Sequence, residues 1–141
     1  MADDGADFVR SMGIATSGLR AQAGRMRVLS ENIANADSTA QTPGGDPYRR
    51  KVPSFSSALD RTLDAKVVTL GKVRPDTSAF RVKNEPGNPA ADAAGNVKYP
   101  NVNPLIEMTD MREAQRSYEA NLNIISATRR MIQRTLDILK A

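Results

Sequence analysis

The sequence predicts a mainly α-helical protein, in which long N- and C-terminal helices pair as an antiparallel coiled coil around a small β-rich insert. Apolar residues recur at seven-residue intervals in both terminal segments, as in paired helices. All eight prolines lie between Pro43 and Pro104. With only three Phe, three Tyr and no Trp, large core-filling rings are scarce. We therefore divide the chain into an N-terminal helix (1–40), an insert (41–103) and a C-terminal helix (104–141).

The first helix is predicted over residues 8 to 36, with Asp4 or Asp7 as candidate N-caps. One apolar row in it has a spacing of seven residues: Met12, Leu19, Met26 and Ile33. A second row stands four residues earlier and contains one polar member: Phe8, Ala15, Gln22 and Leu29. Together the rows form an a/d ladder over four heptads. The ladder predicts that this helix needs a partner along its length.

Three glycines, Gly13, Gly18 and Gly24, lie inside this helix. Each interior glycine costs up to about 1 kcal/mol of helix stability relative to alanine. One interpretation is that another helix approaches closely at the glycines. The other is that the segment stays loose until a neighbour packs on it. The sequence leaves both open.

Between the helices, the residue types indicate turns and short strands. Glu31–Thr39 is rich in Asn, Asp, Ser and Thr, which predicts a C-cap and a turn. Strands are predicted where β-formers concentrate: Arg50–Phe55, Lys66–Val73 and Ala79–Asn84. Ser57–Leu63 is also compatible with a helical turn. Loops are predicted in three further stretches: Gln41–Pro47, Glu85–Pro89 and Ala90–Gly95.

The second helix is predicted to begin at Pro104, with Asn103 as its N-cap, and to continue to Lys140. Such a helix is about 55 Å long at about 1.5 Å per residue. Its main apolar row is Met111, Tyr118, Ile125, Ile132 and Leu139. Other apolar residues broaden the row: Leu122, Leu136, Ile124, Met131 and Ile138. A single partner helix cannot cover so many faces, which predicts further helices from other copies or other proteins.

The composition excludes several kinds of chemistry. The chain has no His and no Cys, so Ser-His-Asp and Cys-His catalysis, disulfides and thiolate metal sites are ruled out. We expect no catalytic, cofactor-binding or metal-binding residues, and we do not predict an enzyme. No apolar run approaches the roughly 20 residues of a membrane span, so membrane insertion is not expected.

The formal net charge is +4, and the basic residues concentrate in the insert. Tyr48 to Lys83 holds nine Lys and Arg against three Asp. Such a patch could follow a phosphate backbone, and an acidic protein surface or an anionic cell-wall polymer would also fit it. The stacking aromatics of single-strand binders are missing, so nucleic acid is not the expected partner. A basic nucleic-acid-binding protein, or another coiled-coil adaptor, remains the alternative.

Several motifs resemble those of bacterial flagellar rod, hook and axial proteins. The N-terminal match is Ser17–Gln22 followed by Asn32–Thr39. Lys98–Pro104, Glu107–Met111 and Arg116–Asn121 are similar to the proximal-rod members in particular. The residues that carry the family motif are Asn32, Asn35, Thr39, Tyr99, Pro100, Asn101, Asn103 and Pro104.

The resemblance implies a structural subunit of the proximal rod of the flagellar basal body. Terminal helices would pack into a helical tube that transmits torque and surrounds the export channel. An open tube of this kind arises from a heterologous contact that does not close. The residues expected to pack between subunits are Met12, Leu19, Met26, Ile33, Met111, Tyr118, Leu122, Ile125, Ile132, Leu136 and Leu139.

The resemblance also implies partners and a location. The partners would be other copies, other rod proteins, the adaptor between membrane ring and rod, the surrounding ring, and the type III export apparatus during secretion. The periplasmic rod would be reached without a cleaved signal peptide. Consistent with this, the acidic stretch Met1–Asp7 lacks the basic and then apolar pattern of a cleaved signal.

Overall fold

Two long helices precede and follow a β-rich segment along the chain in the computed structural model, which describes residues 2–141 and their side chains from residue 5 onward. Helix α1 is Ala2–Ala34 and helix α2 is Pro104–Lys140. Among the described residues the strands between them are short: β1 Lys51–Val52, β2 Phe55–Asp60, β3 Ala65–Leu70, β4 Arg74–Pro75, β5 Arg81–Asn84 and β6 Asn96–Tyr99. This arrangement confirms the predicted fold class.

The strands form antiparallel pairs of β1 with β4, β2 with β3, and β5 with β6. In the β2–β3 hairpin, Phe55 lies opposite Leu70 and Asp60 lies opposite Ala65. The Asp60 carboxylate accepts the Thr62 amide over 2.8 Å and so closes the turn. The helical turn considered for Ser57–Leu63 is therefore wrong, because cross-strand pairing of this segment outweighs its local helical pattern.

The start of α2 is as predicted. The Asn103 side-chain oxygen accepts the Leu105 amide over 3.1 Å, and Pro104 is the first helical residue. The strand that precedes α2, β6 at Asn96–Tyr99, was not predicted. Its partner lies across the loop in β5, and a pairing between separated segments leaves no local signal.

The start of α1 differs from the prediction. The helix already includes Ala2, so Asp7 lies inside it and is not its N-cap. Asp7 instead pairs with Arg10, one turn further on, over 3.3 Å. Asp4, the other candidate cap, also lies inside the helix and is not its N-cap, and its side chain lies outside the described ones. At the other end, Asn35 Nδ2 donates to the Glu31 carbonyl over 2.9 Å, so the helix stops two residues before the predicted end.

The chain divides into two compact units, and both helices contribute to each. The first unit contains the chain up to Met26, Phe55–Gly71 and Glu113–Ala141. The second contains Arg27–Ser54 and Lys72–Arg112.

In the first unit, α1 and α2 run antiparallel. Gly18 lies so close to Asn121 that a Cβ at Gly18 would stand 2.9 Å from the Asn121 amide atoms. One heptad further along α1, Arg25 pairs with Glu113 over 3.6 Å. As the residue number rises on α1 it falls on α2, as antiparallel pairing requires.

The β2–β3 hairpin packs against α1 at the other two interior glycines of the first unit. Leu63 lies against Gly13, and Leu70 lies 2.7 Å from where a Cβ of Gly24 would stand. Close approach at the glycines is thus confirmed, but at Gly13 and Gly24 the approaching element is the hairpin and not a helix. Whether α1 stays loose before a neighbour packs on it remains a prediction.

Candidate functional site

A polar cluster with two fully buried members, Asn32 and Glu107, lies in the second unit, where the end of α1 meets β1 and the start of α2. Asn32 has no exposed surface, and all four hydrogen-bonding positions of its amide are used. Its Nδ2 donates to the Lys51 carbonyl over 2.8 Å and to Glu107 Oε2 over 2.9 Å. Its Oδ1 accepts the Lys51 amide over 2.9 Å and the Tyr48 hydroxyl over 2.8 Å. The side chain therefore serves as a strand-like partner for Lys51.

Glu107 is the buried charge of this cluster, with no exposed surface. Its Oε1 accepts the Arg50 Nε–H over 2.5 Å, so the carboxylate has a charged partner as well as the Asn32 amide. Arg50 also lies 3.3 Å from the Asp76 carboxylate. Burial opposes the charge of Arg50, but its hydrogen bonds and charge contacts with Glu107 and Asp76 hold its pKa above the usual value. A buried ion is tolerated only with such partners.

Two other groups at this site have shifted pKa values. Burial, with the nearby carboxylates of Glu31 and Glu107, raises the pKa of Tyr48 to about 12. The backbone and side chain of Ser78, together with Arg50, lower the pKa of Asp76. Tyr48 is therefore a neutral hydrogen-bond donor at physiological pH, and Asp76 is an acceptor.

Other motif residues fix the chain around this cluster. Asn101 Oδ1 accepts the Arg50 amide over 2.8 Å, and its Nδ2 donates to the carbonyls of Asp76 and Ser78. The buried Pro100 accepts a hydrogen bond on its carbonyl from Arg81 over 3.0 Å. These contacts hold the segment before α2 against the insert.

The remaining motif residues lie nearer the surface. The Tyr99 hydroxyl donates to the Glu85 carboxylate over 2.8 Å, and Asn35 caps the end of α1. Asn103 and Pro104 start α2. Thr39 is exposed, and its role is not explained by any contact in the described residues.

Much of the predicted basic patch is engaged within the second unit itself. Arg49 donates to the carbonyls of Asp76 and Ser78 and stacks over Phe80, 4.2 Å from the ring centre. Arg81 donates to the Ala36 carbonyl over 2.7 Å, so it also caps the turn after α1. Such guanidinium groups stabilise the fold and are less free to follow a phosphate backbone.

Contacts between the helices show which residues of α1 face α2. Gly18 and Arg25 contact α2, and they belong to a row one residue away from the predicted one. The predicted packing residues that are partly buried are Met12, Leu19, Met26, Ile33, Met111, Tyr118, Ile125 and Ile132. Those that are exposed are Leu122, Leu136 and Leu139. Ala15 and Leu29, from the second row of the predicted ladder, are buried, but sequence reasoning missed the row of Gly18 and Arg25, because Gly and Arg do not give an apolar signal.

The C-terminal half of α2 exposes large apolar side chains on both sides of the row that faces α1. One flank has Leu122 and Leu136, and the other has Ile124, Met131 and Ile138. Ile138 is 75% exposed and Leu139 is 68% exposed. After Thr128 the described residues of α2 include none that is buried. Exposed apolar area of this extent marks an interaction surface.

Among residues 2–141, no helix has an apolar stretch long enough to span a membrane. Two flagellar families match the chain. Residues 12–40 match the family described as flagella basal body rod protein, and residues 93–138 match the flagellar basal body rod FlgEFG protein C-terminal family. The two matched ranges contain Asn32 and Glu107, the two residues that bond at the centre of the buried cluster.

Relatives similar over nearly the full chain agree with these matches. The chain is 56% identical over 128 residues to flagellar basal-body rod protein FlgC of Agrobacterium fabrum, which covers 91% of this chain and 92% of the relative. It is 39% identical over 145 residues to FlgC of Bacillus subtilis, with coverage of 92% and 97%. It is 38% identical over 125 residues to FlgC of Salmonella typhimurium, with coverage of 89% and 92%. The chain belongs to the FlgC family of flagellar basal-body rod proteins.

Proposed function

We propose that this chain is a structural subunit of the proximal rod of the bacterial flagellar basal body. It assembles by helix packing into a helical tube that transmits torque and surrounds the export channel. The observation that carries the proposal is the C-terminal half of α2, whose apolar flanks nothing in the chain covers within the described residues. The family is one of structural rod proteins and not of enzymes.

The two flanks of α2 support packing against more than one neighbour. Leu122 and Leu136 stand on one flank, whereas Ile124, Met131 and Ile138 stand on the other at seven-residue spacing. Each flank is a stripe into which the side chains of a further helix could pack. Burying such area contributes about 25 cal/mol per Å² of apolar surface, so association becomes favourable once several neighbours assemble.

The partners that fit these surfaces are other copies of the chain and other rod proteins. Residues 1–40 and 104–141 form the packed helical core, and residues 41–103 contact adjacent subunits outside it. The eleven residues predicted for subunit packing retain that role in this proposal. The adaptor between membrane ring and rod, and the surrounding ring, are the neighbours at the ends and sides of the assembly.

Export is part of the same proposal. The chain passes unfolded through the type III export apparatus, without a cleaved signal peptide, and folds in the periplasmic rod. Interior glycines in α1 reduce the stability of the isolated helix, which favours passage as an extended chain. Location in the flagellar basal body follows from the family.

Nucleic acid binding is less well supported. Arg49, Arg50 and Arg81 are already hydrogen-bonded within the fold. Strong non-specific binding needs several cations that release counterions from the phosphates. We expect no salt-dependent shift of DNA in a gel at low ionic strength; a clear shift would restore this alternative.

The assembly surface can be tested with a matched pair of charge substitutions on α2. Leu136→Asp places a carboxylate on an exposed apolar flank, whereas Asn123→Asp places one on an exposed polar position of the same helix. Each variant replaces the wild-type chain in motile cells. We expect Leu136→Asp to be exported but to form no rods, because burying a charge in the new interface is unfavourable. Asn123→Asp should swim. Rods and normal motility with Leu136→Asp would contradict the proposal.

The companion substitution Ile125→Asp lies in the partly buried apolar row of α2, beside the row that faces α1. We expect it to abolish rod assembly as well and to leave export intact, because export does not require the folded helix pair. If Ile125→Asp assembled normally, the predicted seam would not be part of the rod.

A further inference from the structure

The apolar rows of α1 and α2 do not by themselves define how the two helices align. The row of α2 that faces α1 has a seven-residue repeat: Glu107, Ala114, Asn121 and Thr128. A relative shift of one heptad would place Gly18 opposite Thr128 instead of Asn121. Gly18 has no side chain to clash, and the apolar rows beside the facing rows keep their seven-residue spacing in either alignment. Heptad-patterned helices generally need a polar layer to exclude such shifted pairings.

The buried cluster is the layer that a shift would destroy. In one direction Asn32 would lie opposite Ala114, and Glu107 would lie beyond the end of α1. In the other direction Asn32 would lie opposite Pro100, which precedes α2. In either case Asn32 loses its bond to Glu107, and the Glu107 carboxylate loses its amide partner. Buried polar groups without partners are strongly unfavourable.

Residues of the insert add further hydrogen bonds that a shifted pairing would break. Lys51 bonds the Asn32 amide on both sides, and Arg50 bonds Glu107 while its amide bonds Asn101. The end of α1 and the start of α2 are therefore held by two neighbouring residues: Lys51, the first residue of β1, bonds Asn32, and Arg50, the residue before it, bonds Glu107. We propose that the layer of the buried Asn32 and Glu107, with the partly buried Arg50, sets the register in which α1 and α2 pair.

The proposal can be tested by disulfide trapping, since the chain has no cysteine of its own. One variant carries Gly18→Cys and Asn121→Cys, which join positions in contact in the structure. A second carries Gly18→Cys and Thr128→Cys, which meet only after a shift of one heptad. Initial rates of intramolecular oxidation are compared for the two pairs in the purified chain.

The layer is then removed with Asn32→Leu and Glu107→Leu in both cysteine variants. We expect the rate ratio of shifted to native pair to rise on the order of tenfold, the discrimination expected from about one buried hydrogen bond. The matched control, Arg25→Gln with Glu113→Gln, removes an ion pair between the same helices that is exposed on the Glu113 side and should leave the ratio unchanged.

An unchanged ratio of the two rates would overturn the proposal. This includes the case in which both rates fall by the same factor, which is what loss of stability alone predicts. If the leucine variants lose their helical circular dichroism, Glu107→Gln takes their place, because it keeps the side-chain volume and removes the charge. The ratio of shifted to native oxidation rates in that variant then tests the proposal in the same way. None of these outcomes depends on the chain forming a rod, so the test is separate from that of the proposed function.

Discussion

Asn32 and Glu107 lie 75 residues apart in the chain and share a hydrogen bond of 2.9 Å with neither side chain exposed. They belong to the two stretches that most resemble the flagellar family at each end of the chain. The bond gives these motifs a physical meaning, because the end of α1 and the start of α2 meet at one buried point of the second unit.

Replacing Asn32 by aspartate should destabilise the second unit more than any other isosteric change there. An aspartate would direct an acceptor at both the Lys51 carbonyl and the Glu107 carboxylate, where the wild-type amide donates. We expect a loss of about 3–5 kcal/mol in the free energy of unfolding, the range for a broken buried charge arrangement.

Urea unfolding at neutral pH, followed by amide exchange in residues 27–54, measures this loss. The control is Asn35→Asp, which alters the partly buried cap at the end of the same helix and should lose about 1 kcal/mol or less. Equal effects of the two substitutions would mean that the Asn32 bonds contribute no more than an ordinary cap.

Tyr48 should make the second unit sensitive to alkaline pH. Its pKa is about 12 in the folded chain against an ordinary value near 10. The folded state therefore holds the proton more tightly. The contribution is complete below about pH 10 and is lost as the pH rises towards about 12; because solvent screens this partly exposed ring, we expect the loss to be about 1–2 kcal/mol.

Absorbance of the phenolate, titrated for the wild type and for Tyr48→Phe, isolates the Tyr48 transition as a difference. We expect this difference to have its midpoint near pH 12 in the folded chain and near pH 10 in urea. A midpoint near pH 10 in both would show that the hydroxyl is freely solvated and does not bond Asn32.

The packing of the β2–β3 hairpin against α1 can be tested with a double-mutant cycle. Gly13→Ala places a methyl group against Leu63, and Leu63→Ala removes the side chain that it meets. We expect Gly13→Ala to weaken exchange protection in β2 and β3 when Leu63 is present, and to have little effect when it is alanine. A coupling of about 0.5–3 kcal/mol is typical of residues in contact.

The control for this cycle is Gly5→Ala, because a Cβ at Gly5 meets nothing within 4 Å. That change should only gain helix propensity, up to about 1 kcal/mol. Strictly additive effects of Gly13→Ala and Leu63→Ala would mean that the hairpin does not rest on this glycine.

Local signals in the sequence determined what could be predicted. Asn103 and Pro104 mark the start of α2 by their own chemistry, so that boundary was predicted correctly. β1 and β4 were not predicted as a pair, since each has two residues and 21 residues separate Val52 from its partner Arg74. Pairing at such a distance depends on tertiary contacts, which a local pattern does not reveal.

The Asn32–Glu107 contact at the centre of the candidate site was not predicted, for a related reason. Asn32 was recognised as a motif residue, but its partner Glu107 was placed in the motif without a role. The row of α1 that meets α2 includes Gly18, Arg25 and Asn32, so apolar periodicity favoured the neighbouring row instead. Polar and small residues in a helix seam can be found only once the partner is known.

The central claim is that the C-terminal half of α2 is covered by neighbouring subunits and not by its own chain. Hydrogen exchange of the α2 amides, measured in the purified chain and in isolated basal bodies, tests it most directly. We predict that amides after Thr128 exchange close to unfolded rates in the purified chain, while those of the second unit are protected, and that all become protected in the rod. Strong protection after Thr128 in the purified, monomeric chain would contradict the account.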